Sequence, residues 1–552
     1  MCMQICNNCF FHSFILRHFT KNTRCFAIYN GFWYHFSERN LEGKNMKKLL
    51  LSLFGIMFSV QQCFAFDIDS TIEKYLTPVS NKISSVIFFP VNLFGVDVPL
   101  IILWILAAVI FFTFYLRGIA FWGLKHSIEV LKQPKTDESG GEVSPLGALM
   151  TALSGTVGLG CIAGVAISIS IGGPGAAFWI MFGAVFGMAL KFAEVSLSLK
   201  YRKILPDGSI AGGPMHFIAH GLTRRKLRKL GQPLAVLFAF LCIGGAITGG
   251  NMVQINQTTR QIINIAGGDN SFLGHNAWII GLVCAVLLGL IIIGGIKAIT
   301  KVAMKVVPFM VYLYLFAGIL IILVHWQNIP HAIFISLQEA FHPTSVAGGI
   351  IGIIIIGMRR SVQTNEAGTG SAPIAYATAQ TDEPISQGFI ALLEPFLTGL
   401  VCVLTAGIIV CSGVYEGYTE GVTGIELTSS AFESVFPWFK YALSVIVILF
   451  ALTTLISWAY YGQKAWNYIV GEGKKRTLIY QIIFCTFIVI GSVMNIQTII
   501  DLTDSMMLSM AVPNCLAMYF MAKELKTDLR RYCKKYNVAP LINKKWVDEI
   551  EA

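Results

Sequence analysis

Apolar residues recur along this chain in runs of about 18 or more, the length at which a helix crosses a hydrocarbon core while satisfying its own backbone hydrogen bonds. Short polar connecters separate the runs from Pro99 onward. A transmembrane β-barrel would instead show short segments of alternating polarity. The pattern predicts an all-α polytopic membrane protein with eleven transmembrane helices. They fall near Pro99–Trp122, 146–170, 175–200, 232–250, 277–297, 302–325, 344–378, 386–413, 437–461, 477–495 and 500–522.

Charge gives these spans a direction. The first is followed by Lys125, His126 and Lys132, so it enters from outside and ends inside by the positive-inside bias. Alternation then places four connecters in the cytoplasm: Tyr201-Arg202-Lys203, Arg224 to Lys229, Lys297 to Lys305, and Lys474-Lys475-Arg476. All are basic, as is the tail with Lys523, Lys526, Arg530, Arg531, Lys534 and Lys535. The expected location is the cell inner (plasma) membrane, multi-pass, with the N-terminus outside and the C-terminus cytoplasmic.

Ahead of the spans, Met46-Lys47-Lys48, the apolar stretch Leu49 to Val60 and Cys63-Phe64-Ala65 have the order of a signal peptide cut after Ala65. An uncleaved anchor helix is the other reading of the same residues. Residues 1–45 are read as an upstream extension outside the fold, 46–65 as the leader and 66–98 as a periplasmic segment. Residues 99–522 form the transmembrane domain and 523–552 a cytoplasmic basic tail.

Of the 552 residues, 55% are hydrophobic and 13% charged, against roughly 25% charged in a soluble domain, so lipid is the main solvent. The formal charge of +11 sits in connecters and tail, which speaks against nucleic acid as a partner. The thirteen cysteines show no metal or redox spacing apart from Cys6 and Cys9, a chance pair. No nucleophile–base set, zinc-protease motif or phosphate loop marks an enzyme. A repeated filter motif, as a channel would need, is missing too.

Two spans carry helix-breaking runs. The second contains Gly155-Thr-Val-Gly158-Leu159-Gly160-Cys161, and the seventh Asn365-Glu366-Ala-Gly368-Thr369-Gly-Ser371-Ala-Pro373. Glycine costs a helix interior about 1 kcal/mol and proline about 3 relative to alanine, so such runs unwind where protein surrounds them. Unwinding frees N–H groups for a carboxylate and carbonyls for a cation. The second span opens one set of five helices and the seventh another, and an offset of five reverses orientation: the pattern of an inverted repeat. Close packing of helices through small residues is the plainer reading of either run alone.

Charged residues at lipid depth must face protein, water or each other. Arg359 or Arg360 would pair with Glu366 only through an irregular helix, as a gate or as a clamp. Lys191 and Glu194, three apart, read as an intrahelical pair. Glu394 reads as a hydrogen-bonded helix contact, a proton relay being the other reading. Thr453, Thr454 and Ser457 offer hard oxygens to a cation, or bond their own helix carbonyls.

Gly155-Thr-Val-Gly-Leu-Gly160, Ile162-Ala-Gly-Val-Ala166, Gly172-Gly-Pro-Gly175, Lys191-Phe-Ala-Glu194, Gly212-Gly-Pro-Met215 and Asn365 to Pro373 together resemble the alanine or glycine:cation symporter family over roughly Leu100 to Lys523. The resemblance implies a leucine-transporter-type fold, its last ten helices a five-plus-five inverted repeat. It also implies import of a small neutral amino acid, alanine or glycine, with sodium as coupling ion and no other cofactor. Carried over by motif, the backbone around Gly158, Leu159 and Gly160 faces the substrate carboxylate, and Asn365, Gly368, Thr369 and Ser371 line the opposite wall. By fold analogy, carbonyls of Ser154 and Val157 and hydroxyls of Thr453 and Thr454 form a sodium site. The family commonly reads Gly-Thr-Gly-Asn where this chain has Gly158-Leu159-Gly160-Cys161. A thiol is a poor ligand for a hard cation, so a proton-coupled transporter, or a transporter-like amino-acid sensor, is the alternative.

Overall fold

The computed structural model describes residues 78, 80–93, 95–132, 140–342, 349–416 and 424–538. The expected extension 1–45, the leader 46–65 and the first residues of the 66–98 segment lie outside them. A hairpin of β1 (Pro90–Leu93) and β2 (Val96–Pro99) leads into α1 (Leu100–Tyr115). The expected first span does not run on to Trp122. Arg117 and Gly118 turn the chain with φ of 58° and 64°, and α2 (Ile119–Lys132) leaves at 69° to α1. Its residues explain the departure. Ile119, Trp122, Gly123 and His126 form a buried face while Phe121, Lys125 and Ile128 are exposed, the pattern of a helix lying along an interface.

The second expected span is broken as predicted. Its arms, α3 (Pro145–Thr156) and α4 (Ala163–Gly172), are joined by a 3-10 turn at Leu159–Cys161 and bent by 54°. After α5 (Ala176–Lys200) and the amphipathic α6 (Pro214–Arg224) comes α7 (Arg228–Ile247), which continues through a π-turn at Thr248–Met252 into α8 (Val253–Ile265). The chain proceeds through α9 (Ala277–Ile292), α10 (Gly295–Val324) and α11 (Ile329–Phe341) to α12 (Gly349–Asn365), the second break and the short α13 (Pro373–Tyr376). Then follow α14 (Pro384–Ala391), α15 (Leu393–Cys411), α16 (Ile425–Glu433), α17 (Phe439–Val470), α18 (Lys474–Val493) and α19 (Ile496–Tyr536).

Among the described residues, seven helices are long and apolar enough to cross a membrane, and the two bent pairs raise that to nine. Burial sorts them. In α17 and α19, 72% of the apolar window is buried, against 33% in α10 and α18, so the former are interior and the latter peripheral. On α10 the exposed side chains include Phe309, Tyr312, Phe316 and Leu323, a surface suited to lipid. The interior is assembled around the two breaks: α12 packs on α4 and α5, and α17 packs on α3, α7 and α10.

Candidate functional site

Ser144 starts the first broken helix by accepting a hydrogen bond from Gly147 N at 3.1 Å, with Pro145 in the position where no N–H is needed. The helix stops at Val157, and Gly158 is extended, with φ −123° and ψ −163°. A side chain cannot stand there: a Cβ on Gly158 would lie 2.4 Å from Thr454 Oγ1 and 3.2 Å from Gln254 Oε1. The backbone of the break thus lies directly against α17 and α8.

At the second break Glu366, Gly368 and Gly370 take φ of 54°, 92° and 78°. Local hydrogen bonds hold this turn. Asn365 Oδ1 accepts from Ala367 N at 2.8 Å, Thr369 Oγ1 donates to the Glu366 carbonyl at 2.8 Å, and Ser371 Oγ donates to Glu366 Oε2. Asn514 on α19 donates to the Gly368 carbonyl at 2.8 Å.

Between the breaks lies a small, partly enclosed cavity. Gly155, Thr156, Gly158, Leu159, Gly160 and Gly164 line it from the first broken helix, Arg360 and Gln363 from α12, Glu366 from the second break, Gln254 and Gln257 from α8, Trp458 from α17, and Ile500, Thr503 and Met507 from α19. Of the expected substrate residues, Gly158, Leu159 and Gly160 line this space. Cys161, Asn365, Gly368, Thr369 and Ser371 do not: their side chains or backbone brace the breaks from behind. Cys161, for example, takes a hydrogen bond from Thr405 on its carbonyl at 2.9 Å.

The hydroxyls expected to hold sodium divide. Ser154 Oγ meets Ser457 Oγ, Thr454 Oγ1 faces Gly158, and Val157 lies between these two contacts in the α3–α17 seam. Thr453 points elsewhere, its Oγ1 3.4 Å from Met310 Sδ on α10.

Two wall residues carry no mark in the family motifs. Gln254 Oε1 accepts from Leu159 N at 3.1 Å while its Nε2 donates to the Gly249 carbonyl at 3.1 Å. This uses the Leu159 amide internally. The π-turn directs Gln254 there, and it lets Gly250 sit where a Cβ would lie 2.1 Å from Trp458 Cγ. Trp458 Nε1 donates to Glu366 Oε1 at 3.1 Å. The polar run Asn251, Gln254, Asn256, Gln257 inside a spanning helix was the available signal for the first of these, whereas the indole of Trp458 had none.

The expected charge pairs are rearranged. Lys191 does not pair with Glu194; it reaches across to Glu394 on α15 at 3.2 Å, and Glu194 takes a hydrogen bond from Asn514 at 2.6 Å. Neither Arg359 nor Arg360 meets Glu366. Arg359 pairs with Asp504 on α19, and Arg360 donates to Gln363, which in turn donates to Asp504. The reason is direction along the helix: both arginines lie on the Gly349 side of the break, Arg359 reaching α19 and Arg360 lying against Gly164 of α4, while Glu366 has already turned toward Trp458 of α17.

The sequence profile of the sodium:alanine symporter family matches residues 81–543. The sodium/alanine symporter AgcS of Methanococcus maripaludis is 35% identical over 439 residues, covering 79% of this chain and 94% of that protein. The probable sodium/glutamine symporter GlnT of Bacillus subtilis is 33% identical over 439 residues, covering 79% and 88%. Among solved structures, MhsT in complex with L-phenylalanine superposes with a TM-score of 0.54 at 12% identity, covering 74% of this chain and 95% of that one, a likeness of fold.

Proposed function

The chain belongs to the sodium:alanine symporter family and is therefore a cation-coupled amino-acid symporter and not an enzyme; on that premise we propose that it imports alanine or glycine with sodium across the inner membrane by alternating access. The observation that carries this reading is the cavity itself. It is bounded by two unwound helix segments, Gly158 to Gly160 of the first break and Glu366, which brings a carboxylate, of the second. A zwitterion with a short side chain presents complementary groups. The narrow remainder, closed by Gln254, Trp458 and Met507, favours a small side chain.

In this reading eleven helices cross the membrane, and the last ten form a five-plus-five inverted repeat with the breaks at matched positions. Sodium sits in the α3–α17 seam, with Ser154, Val157 and Thr454 supplying oxygen and Thr453 left on the Met310 side of α17. The N-terminus lies outside and the basic tail inside.

Uptake of radiolabelled alanine and glycine into proteoliposomes, with and without an imposed sodium gradient, tests the proposal. Accumulation driven by sodium is the expected result. Accumulation that follows a proton gradient and ignores sodium would overturn the coupling ion, and specific binding without uptake would identify a sensor.

A further inference from the structure

Three carboxylates and one ammonium are buried together around the second break. Glu194, Glu366, Glu394 and Lys191 are each at most 1% exposed. Lys191 is committed to Glu394, and its other hydrogen bond goes to the backbone carbonyl of Glu366 at 3.2 Å, not to the carboxylate. Glu194 turns to Asn514, away from the cavity. Glu366 is the acid of this group that lines the cavity, and its two oxygens accept from neutral donors, Trp458 Nε1 and Ser371 Oγ. Among the described residues no ion pair reaches its side chain.

A buried carboxylate held by neutral donors alone is costly, and the cost is removed by a cation brought into contact. The backbone adds a second observation. Glu366 holds φ at +54°, where a residue other than glycine is strained, and such residues cluster at ligand sites. The strained conformation aims the carboxylate at the indole on the cavity wall. Other charged groups facing it are Lys191 and Glu394 from α5 and α15; Arg360, on its own helix, is occupied with Gln363.

Resting on the reading of the chain as an amino-acid symporter, we propose that the Glu366 carboxylate is the receptor for the substrate's α-ammonium, forming an ion pair that exists only while an amino acid occupies the cavity. An ammonium offers three donors, and each carboxylate oxygen keeps a lone pair beyond those used by Trp458 and Ser371. The substrate carboxylate then lies toward the unwound backbone of the first break, so the two breaks orient the zwitterion end to end. The positive charge enters with the substrate and leaves with it.

The test compares L-alanine with L-lactate, which keeps the methyl and carboxylate and replaces the ammonium by a hydroxyl. Binding is measured on the full chain in nanodiscs at saturating sodium, for the wild type and Glu366→Gln. Alanine affinity should fall at least about 30-fold in the variant, the lower bound for breaking a buried charge pair, while lactate affinity holds or rises. An unchanged alanine affinity, an equal loss for both ligands, or a loss confined to sodium affinity overturns the proposal and leaves the symporter reading standing. Failure of the wild type to bind any neutral amino acid overturns the symporter reading itself. Should Glu366→Gln not fold, infrared difference spectra of the wild type decide the matter. A carboxylate stretch that shifts with alanine but not lactate supports the ion pair, and a buried protonated carboxyl band that persists with alanine bound excludes it.

Discussion

Lys191 Nζ lies 3.2 Å from Glu394 Oε1, and neither side chain is exposed. The pair joins α5 to α15, and its Lys191 end also holds the second break by the Glu366 carbonyl. Removing one member leaves a lone charge in a dry interior, which costs about 3–5 kcal/mol, whereas replacing both by neutral groups of similar volume is close to neutral. Lys191→Met should therefore lower the thermal midpoint of the purified protein sharply, and Lys191→Met with Glu394→Gln should recover most of the loss. Equal stability of the single variant and the wild type would show that the pair does not hold these helices.

The two glycines of the first break differ in what stands over them. A Cβ on Gly158 meets Thr454 Oγ1 at 2.4 Å, but one on Gly160 finds its nearest neighbour, Thr364 Cγ2, at an ordinary 3.6 Å. Gly158→Ala should abolish uptake and Gly160→Ala should retain a substantial fraction of it. Uptake assays on variants inserted to equal levels check the contrast, and equal loss in both would mean that the break moves as one unit.

Sodium dependence should separate the adjacent threonines. Thr454→Val removes a hydroxyl from the α3–α17 seam and should raise the sodium concentration for half-maximal uptake about tenfold or more, that is ~1.4 kcal/mol. Thr453→Val alters a contact with Met310 and should shift that concentration less than threefold, within ~0.7 kcal/mol. The reverse order would place the ion on the α10 side of α17.

Arg202 clasps the side of the cavity expected to face the cytoplasm. It donates to the carbonyls of Ala377 at 3.0 Å and Thr381 at 2.8 Å, and to those of Ala379 and Gly140, tying the chain before α3 to the chain after α13. Gln380 N and the Val143 carbonyl, 2.8 Å apart, complete the closure. Arg202→Ala should speed thiol labelling, from the side expected to face the cytoplasm, of a cysteine placed on the cavity lining by Ala163→Cys, an increase absent where Ala163 is kept. An unaltered labelling rate would mean that the clasp is not what shuts this side.

Both breaks and the long apolar helices, though not a count of eleven, were legible because glycine runs and apolar length are local properties. Partners across the interior were not. Lys191 and Glu194 look like a pair along the chain, but a lysine stem is long enough to reach a neighbouring helix, and which helix packs there is a tertiary fact. The end of the first span was misplaced because Phe121 and Trp122 are as apolar as a membrane interior while belonging to an amphipathic helix. Gln254 owed its position to a π-turn, which shifts every later side chain on that helix and has no reliable signature. Thr453 and Thr454 were indistinguishable in sequence; the rotation of α17 separates them.

Helix α19 runs unbroken for 41 residues past Pro513, about 60 Å, roughly twice the thickness of a hydrocarbon core. Near one end Asp504 receives Gln363 and Arg359, midway Asn514 holds the Gly368 carbonyl, and toward the other end Glu524 meets Lys200 at 2.6 Å. Three levels of the protein are therefore fastened to a single stiff strut. A displacement at either mouth reaches the opposite mouth through bone, so to speak, and not through the cargo. A flexible joint in this strut would leave the binding pocket intact but let both mouths gape together, and the defect would be seen as uncoupled leak of ions.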